Sequence, residues 1–87
     1  MNTLLPLKLY TTSHCHLCEL ALALVLHFCG TEQLLLIEIT EDDDLLKRYG
    51  TRIPVLQRMD TLNELNWPFN KDDIQHFLNA EHKKASI

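Results

Sequence analysis

Apolar and polar positions alternate at the start of the chain and then recur at intervals of three and four. Leu5, Leu7 and Leu9 alternate with other residues, which is the period of a β-strand and predicts one over 4–10. After a polar loop over 11–14, apolar residues at helical spacing predict a helix over 15–28, with Gly30 as its C-terminal stop. The residues expected to form its inward-facing stripe are Leu17, Leu20, Ala21, Leu24 and Phe28.

The segment 34–39 is an almost unbroken apolar run. Such runs are typical of strands buried on both faces, so the run predicts a central strand parallel to the first. Thr40 is expected to cap a second helix, because acidic residues follow it and stabilise the positive end of a helix dipole. This helix is expected to end near Tyr49 and Gly50.

The last third of the chain predicts a hairpin followed by a helix. Strands are expected over 54–58 and 63–67, with a turn over 59–62 between them. Asn70 is placed to cap the closing helix, whose expected inward residues are Ile74, Phe77 and Leu78. The predicted order is β-α-β-α-β-β-α, an α/β fold with a four-stranded mixed β-sheet flanked by three helices. Residues 1–87 are expected to form a single domain.

Charge and composition limit the classes of function that the chain can have. The net charge of −4 disfavours nucleic-acid binding, because no basic stripe is available to neutralise phosphates. The first residues match neither a signal peptide nor a membrane span, so we expect no membrane partner and a cytoplasmic location. In a reducing compartment the three cysteines are better explained as redox-active, metal-binding or buried thiols than as a disulfide scaffold.

The motif Cys15-His16-Leu17-Cys18 lies between the first strand and the first helix. Residues three apart on the first helical turn share a face, so the two sulfurs can form a disulfide. Free N–H groups and the helix dipole favour an anion at Cys15. We therefore expect Cys15 to be the nucleophile of thiol–disulfide exchange and Cys18 to resolve the mixed disulfide.

Other chemistry-bearing side chains leave alternatives open. His14 and His16 flank Cys15 and are either exposed loop residues or stabilisers of its thiolate. With the two cysteines they also form a donor set for a metal or an iron–sulfur cluster, although no second cluster of ligands accompanies it. Cys29 is interpreted as a small apolar residue near the end of the helix.

The chain resembles the glutaredoxin-like members of the thioredoxin superfamily, in particular short bacterial proteins once classed as a domain of unknown function. The resemblance spans almost the whole chain. It rests on the Cys-x-x-Cys motif after Leu9-Tyr10-Thr11, on the stretch from Tyr49 to Leu56, and on Glu64 to Phe69. It implies a thioredoxin fold and favours an enzyme, a thiol–disulfide oxidoreductase acting in electron transport and cell redox homeostasis.

The resemblance also implies a substrate-binding surface. Pro54 matches a cis-proline that faces the active site, and Ile53 would then pair its backbone N–H and C=O with an extended thiol peptide. Thr12 occupies the position of a lysine that holds a glutathione carboxylate in true glutaredoxins. We assign Thr12, Ile53 and Pro54 to substrate binding. No cofactor is expected to be required.

The expected partners are a protein disulfide or a small thiol, with glutathione as a candidate reductant or substrate, and the protein is expected to be a monomer. Bulky Trp67, Pro68 and Phe69 replace the Gly-Gly of true glutaredoxins at the entrance to the last helix. These aromatics leave a third alternative, a redox-inactive adaptor that binds through the Trp67–Phe69 surface.

Overall fold

The computed structural model describes residues 6–79, and these form a single sheet with helices against both of its faces. Short 3₁₀ turns lie at Thr31–Gln33 and Ile39–Glu41. The order β-α-β-α-β-β-α is confirmed by the elements β1 (Leu7–Thr11), α1 (His16–Val25), β2 (Leu34–Glu38), α2 (Asp43–Tyr49), β3 (Val55–Arg58), β4 (Glu64–Asn66) and α3 (Lys71–Asn79). The predicted strand residues 4 and 5 lie outside the described part.

The sheet has the strand order β2-β1-β3-β4. Strand β1 pairs parallel with β2 and antiparallel with β3, and β3 pairs antiparallel with β4. The predicted mixed four-stranded sheet is therefore confirmed. Because Tyr10 pairs with Val55 and Val55 pairs with Asn66, the end of β1, the start of β3 and the end of β4 lie at one edge of the molecule.

Two apolar clusters hold the layers together. The larger lies between the sheet and helices α1 and α3, where Leu9, Val25, Leu56 and Ile74 are fully buried. The smaller lies on the opposite face against α2, where Tyr10 stacks on Tyr49 with ring centroids 4.0 Å apart. Alternation along β1 explains the arrangement, because successive side chains of a strand point to opposite faces.

The prediction of a central strand over 34–39 is wrong, although its parallel pairing with β1 is confirmed. Strand β2 is an edge strand, and its middle residues Leu35 and Leu36 are 57% and 49% exposed. Neighbouring residues point to opposite faces, so helices cover neither face at this point. The apolar run therefore predicted parallel pairing correctly but did not predict burial.

The predicted inward stripe of α1 is also partly wrong. Leu17 and Leu20 are 45% and 43% exposed, whereas Ala21 is fully buried together with Val25, a residue outside the predicted stripe. Helix α1 ends at Val25 rather than near Phe28, and Gly30 instead precedes a 3₁₀ turn. Leu24 and Phe28 pack at the margin of the larger cluster, as the stripe predicted.

Capping differs between the other two helices. Helix α2 is capped by Asp42, whose carboxylate accepts from the Asp44 and Leu45 amides, and not by Thr40 as predicted. The 3₁₀ turn that contains Thr40 delays the helix. Helix α3 is capped by Asn70 as predicted, since its side-chain oxygen accepts from the Asp73 amide at 2.9 Å. No helix within residues 6–79 is long and apolar enough to span a membrane.

Candidate functional site

The two cysteines of the motif are joined at the N-terminus of α1. Cys15 is the N-cap residue and forms a disulfide with Cys18, with Cα atoms 5.2 Å apart. The Cys15 sulfur also accepts a hydrogen bond from the Cys18 amide at 3.1 Å. An N-cap position exposes a side chain to the unpaired amides of the first turn, which stabilise negative charge there.

The two sulfur-bearing residues differ in accessibility. Cys15 is half-buried, whereas Cys18 is only 3% exposed and packs inside the first turn of the helix. Cys15 is therefore the more accessible of the two residues from solvent. The predicted pairing of these two residues is confirmed, and the division of their roles stays a prediction.

Glu38, the last residue of β2, binds the loop that leads into α1 through hydrogen bonds. The Glu38 carboxylate accepts from the Thr12 hydroxyl at 2.7 Å and from the Ser13 amide at 3.1 Å. It also accepts from the hydroxyl and the amide of Thr40. These bonds, led by that of Thr12, lower the pKa of the Glu38 carboxyl. Thr12 is therefore directed to a carboxylate of the protein itself.

The loop between Ser13 and Cys15 makes a sharp turn at His14. Its φ angle of 59° is in the left-handed region, which costs free energy for a residue with a side chain. Both His14 and His16 are exposed, and the His16 ring lies 3.9 Å from the Glu19 carboxylate. The histidines thus flank the disulfide on its solvent side.

Pro54 lies at the same edge of the sheet as the disulfide. The Ile53–Pro54 peptide bond is cis, and the Pro54 side chain is fully buried. One step beyond the β1–β3 ladder, where Tyr10 pairs with Val55, Pro54 comes opposite Thr11. The Ile53 amide donates to the Tyr49 carbonyl at 3.0 Å, so this amide is already engaged within the chain.

A polar network fixes the segment that leads into Pro54. Arg52 donates to Glu64 at 2.6 Å and to Asn66 at 3.0 Å, and its guanidinium lies 5.0 Å from the Tyr49 ring centroid. The Tyr49 hydroxyl donates to the same Glu64 carboxylate at 2.5 Å. Burial, and then this hydrogen bond, raises the pKa of the Tyr49 hydroxyl. The network joins α2 to β4 beside the Ile53–Pro54 step.

A shallow cleft of about 120 Å³ opens beside the disulfide. Its floor includes Leu9 of β1, and Leu22 and Leu36 form an apolar side between α1 and β2. The remaining lining residues are Thr11, Thr12, Ser13, His14, Cys15, Cys18 and Glu19. The motif cysteines and Thr12 therefore share one cleft, whereas Ile53 and Pro54 do not line it.

Three other side chains singled out in the sequence belong to the larger apolar cluster. Cys29 is a free thiol packed at the margin of the larger cluster, and burial, followed by the Glu32 charge, raises its pKa. Trp67 contacts the buried Phe69 edge to face at 5.0 Å, and both belong to the same cluster. This packing gives the aromatics a structural role.

Over residues 6–79 there is no group of three or more metal-ligating side chains.

The structure also reveals site residues that the sequence prediction missed. Glu38 and Glu64 are far from the motif in the sequence, yet each binds a loop of the site. One signal for Glu38 was available, because it is the polar residue that ends an apolar run and lies at the carboxyl end of a parallel strand. Glu64 carried no comparable signal.

Comparison with known proteins agrees with this arrangement. Residues 6–79 match the family model described as a glutaredoxin-like domain (DUF836). The crystal structure of XcR50 from X. campestris is similar, with a TM-score of 0.73 and 35% identity over 84% of this chain and 95% of that one. The solution structure of Ne2328 from Nitrosomonas europaea has a TM-score of 0.70 and 27% identity over 88% and 94%. No curated protein matches the chain.

Proposed function

Because the chain belongs to the glutaredoxin-like domain family (DUF836), which supports a redox-related role, we propose that it is a thiol–disulfide oxidoreductase. The observation that carries this proposal is the Cys15–Cys18 disulfide at the N-terminus of α1. The substrate is a disulfide in a protein or a small molecule. Glutathione or another thiol would return the protein to its reduced state.

In the proposed reaction the Cys15 thiolate attacks one sulfur of the substrate disulfide. The substrate S–S bond breaks, its second sulfur leaves as a thiolate that takes up a proton, and a mixed disulfide forms on Cys15. The Cys18 thiol then loses its proton and attacks the Cys15 sulfur. The bond between Cys15 and the first substrate sulfur breaks, and that sulfur leaves as a thiolate that takes up a proton. The substrate thus gains two electrons and two protons while the protein acquires its own disulfide.

The position of Cys15 favours the first step. In the reduced protein an N-cap thiolate would accept the amide hydrogen bond that its sulfur already accepts from Cys18. Helix N-termini lower the pKa of cysteine thiols, and each unit of pKa corresponds to about 1.4 kcal/mol in favour of the thiolate. The buried Cys18 acts in the second step, as the thiol that attacks the mixed disulfide.

The residues assigned to substrate binding have unequal roles in this proposal. Thr12 lines the cleft beside the disulfide, so it contacts the substrate near the reacting sulfur. Ile53 would pair with a bound peptide through its carbonyl, because its amide donates to Tyr49. Pro54 fixes the direction of that carbonyl.

Trapping of the mixed disulfide tests the proposal directly. Cys18→Ser is expected to accumulate a covalent adduct on Cys15, because the resolving thiol is absent, whereas Cys15→Ser is expected to form none. Both variants are made in a Cys29→Ser background, which removes the remaining thiol of the chain. The adduct is measured by intact mass spectrometry before and after reduction.

The rate of iodoacetamide alkylation at increasing pH supplies an independent measurement. A Cys15 thiol that titrates clearly below the ordinary value of about 8.5 supports activation by the helix. The absence of an adduct on Cys18→Ser with every disulfide offered, together with an ordinary Cys15 pKa, would refute the proposed exchange.

A further inference from the structure

The cleft beside the disulfide combines an apolar side with negative charge. Leu22 and Leu36 form the apolar side, and Leu36 remains 49% exposed. Glu19, one helical turn before Leu22 on α1, also lines the cleft, with a side chain that is 74% exposed. No lysine or arginine lines this cleft in the part of the chain that the structure describes.

A second carboxylate lies directly behind the loop of the cleft. Glu38 binds Thr12 and Ser13, both of which line the cleft, and its lowered pKa keeps it ionised at neutral pH. Strand β2 ends beside the end of β1, so the segment after Glu38 starts at the same end of the sheet as the cleft. This segment contains four more acidic residues. These are Glu41, Asp42, Asp43 and Asp44.

Two cations at this end of the sheet have acidic neighbours, and Arg48 of α2 adds a third, whose charge acts on Glu64. Arg52 precedes Ile53 and Pro54, but its guanidinium is paired with Glu64 at 2.6 Å. Lys71 begins α3 and is followed at once by Asp72 and Asp73. The cleft itself is lined by the Glu19 carboxylate and by no lysine or arginine of the described residues, and a field of one sign around a cleft raises the encounter rate with molecules of the opposite sign.

We propose that the preferred substrate is a protein disulfide in an extended segment that carries lysine or arginine beside an apolar side chain. The cationic groups would lie near Glu19 and Glu38, and the apolar side chain would contact Leu22 and Leu36. Glutathione disulfide carries a net negative charge at neutral pH, so this site disfavours it as a substrate. This inference rests on the proposed exchange function and adds the substrate class.

Two disulfide peptides that differ only in charge test the substrate class. Both are symmetric dimers with the same length, cysteine position and leucine, and they carry either lysine or glutamate on each side of the cysteine. The reduced full-length protein is mixed with each peptide at about pH 8, where imidazole side chains carry little charge. Each second-order rate constant is divided by that of dithiothreitol with the same peptide, which removes differences in intrinsic reactivity.

The lysine peptide is expected to react about tenfold faster at low ionic strength, and the ratio is expected to approach one at high salt as the charges are screened. Glu19→Gln is expected to lower the ratio about two- to threefold, because it removes one charge from the cleft. The matched control is Glu32→Gln, since Glu32 is exposed and precedes the opposite end of β2. This control is expected to leave the ratio unchanged.

An uncharged disulfide distinguishes a failure of the inferred substrate class from a failure of the exchange function. If bis(2-hydroxyethyl) disulfide is reduced normally while the glutamate peptide reacts as fast as the lysine peptide, the substrate class is refuted and the exchange function stands. If neither peptide nor the uncharged disulfide is reduced, the exchange function itself is refuted, and the inference with it. Equal effects of Glu19→Gln and Glu32→Gln would also refute the role given to the cleft.

Discussion

Glu38 shows how one side chain can hold the loop that carries a reactive residue. Its carboxylate receives hydrogen bonds from Thr12 and Ser13 on the loop and from Thr40 beyond β2. Charge-assisted bonds of this kind are stronger than those between neutral groups. A carboxylate at this point both orders the loop and adds negative charge beside it, so the loop geometry and the proposed specificity would depend on the same residue.

We predict that Glu38→Gln destabilises the protein at neutral pH but not in acid. The native hydrogen bonds lower the Glu38 pKa below its unfolded value, so the carboxylate stabilises the fold above that value. This contribution is lost as the pH falls from about 5 through the folded-state pKa. Urea denaturation of both proteins between about pH 3 and pH 7 measures the difference. Glu32→Gln is the control, and a Glu38→Gln difference that does not change with pH would contradict the prediction.

The motif residues were predictable because their chemistry depends on local spacing. Cys15 and Cys18 lie three residues apart, and the strand before them and the helix after them are evident from the sequence, so their joint position followed. The residues that support them were not predictable. Glu38 is far from Thr12 in the sequence, and only the parallel pairing of β1 with β2 brings them together.

At the scale of elements, a buried cation joins the sheet to the end of α3. Arg58 of β3 is 3% exposed and donates to the Phe77 and Leu78 carbonyls at 2.9 and 3.1 Å. The same guanidinium pairs with Asp60 at 2.6 Å and thereby lowers the pKa of that carboxyl. Carbonyls in the last turn of a helix lack partners within the helix, so a cation there is favourable.

We predict that Arg58→Met lowers the free energy of unfolding by about 2–3 kcal/mol. The methionine fills a similar volume, but the two carbonyls lose their donor in a buried place, which costs about 1–3 kcal/mol for each unsatisfied group. Arg48→Met serves as the control, because this exposed residue of α2 is expected to change stability by less than about 0.5 kcal/mol. Urea denaturation measures both, and equal effects would contradict the role given to Arg58.

The elements themselves were more predictable than their environment. Hydrophobic periodicity gave the order of strands and helices, and Asn70 with Asp73 caps α3 as its sequence signature indicates. The errors arose where tertiary packing decides. The spacing of leucines in α1 allowed several stripes, and the sheet selected the one centred on Ala21 and Val25. The 3₁₀ turn after β2 likewise moved the cap of α2 to Asp42.

At the scale of the whole molecule, the sheet is covered unevenly. Helices α1 and α3 cover one face of its centre and α2 packs against the other, but the outer strand β2 keeps two leucines exposed. Edge strands with exposed apolar side chains and no lysine or proline invite pairing with another chain. The β2 sequence, Leu-Leu-Leu-Ile-Glu, contains neither residue. Association at high concentration should therefore depend on this strand.

We predict that Leu35→Lys reduces concentration-dependent association while leaving stability almost unchanged. Leu35 is 57% exposed, so replacing it removes little buried area, and an edge lysine opposes pairing with another strand. Leu34→Lys is the matched control, because Leu34 precedes Leu35 in the same strand but packs against the larger cluster.

Leu34 is partly buried, so a lysine there should cost about 1–2 kcal/mol through lost apolar contact and partial desolvation of the charge. Sedimentation velocity over a range of concentrations measures association, and urea denaturation measures stability. If Leu35→Lys destabilised the fold as strongly as Leu34→Lys, the two faces of β2 would be equally covered, in conflict with the packing of this edge. If association were unchanged, chains would instead meet through another surface, and the exposed leucines of α1 would be the next to replace.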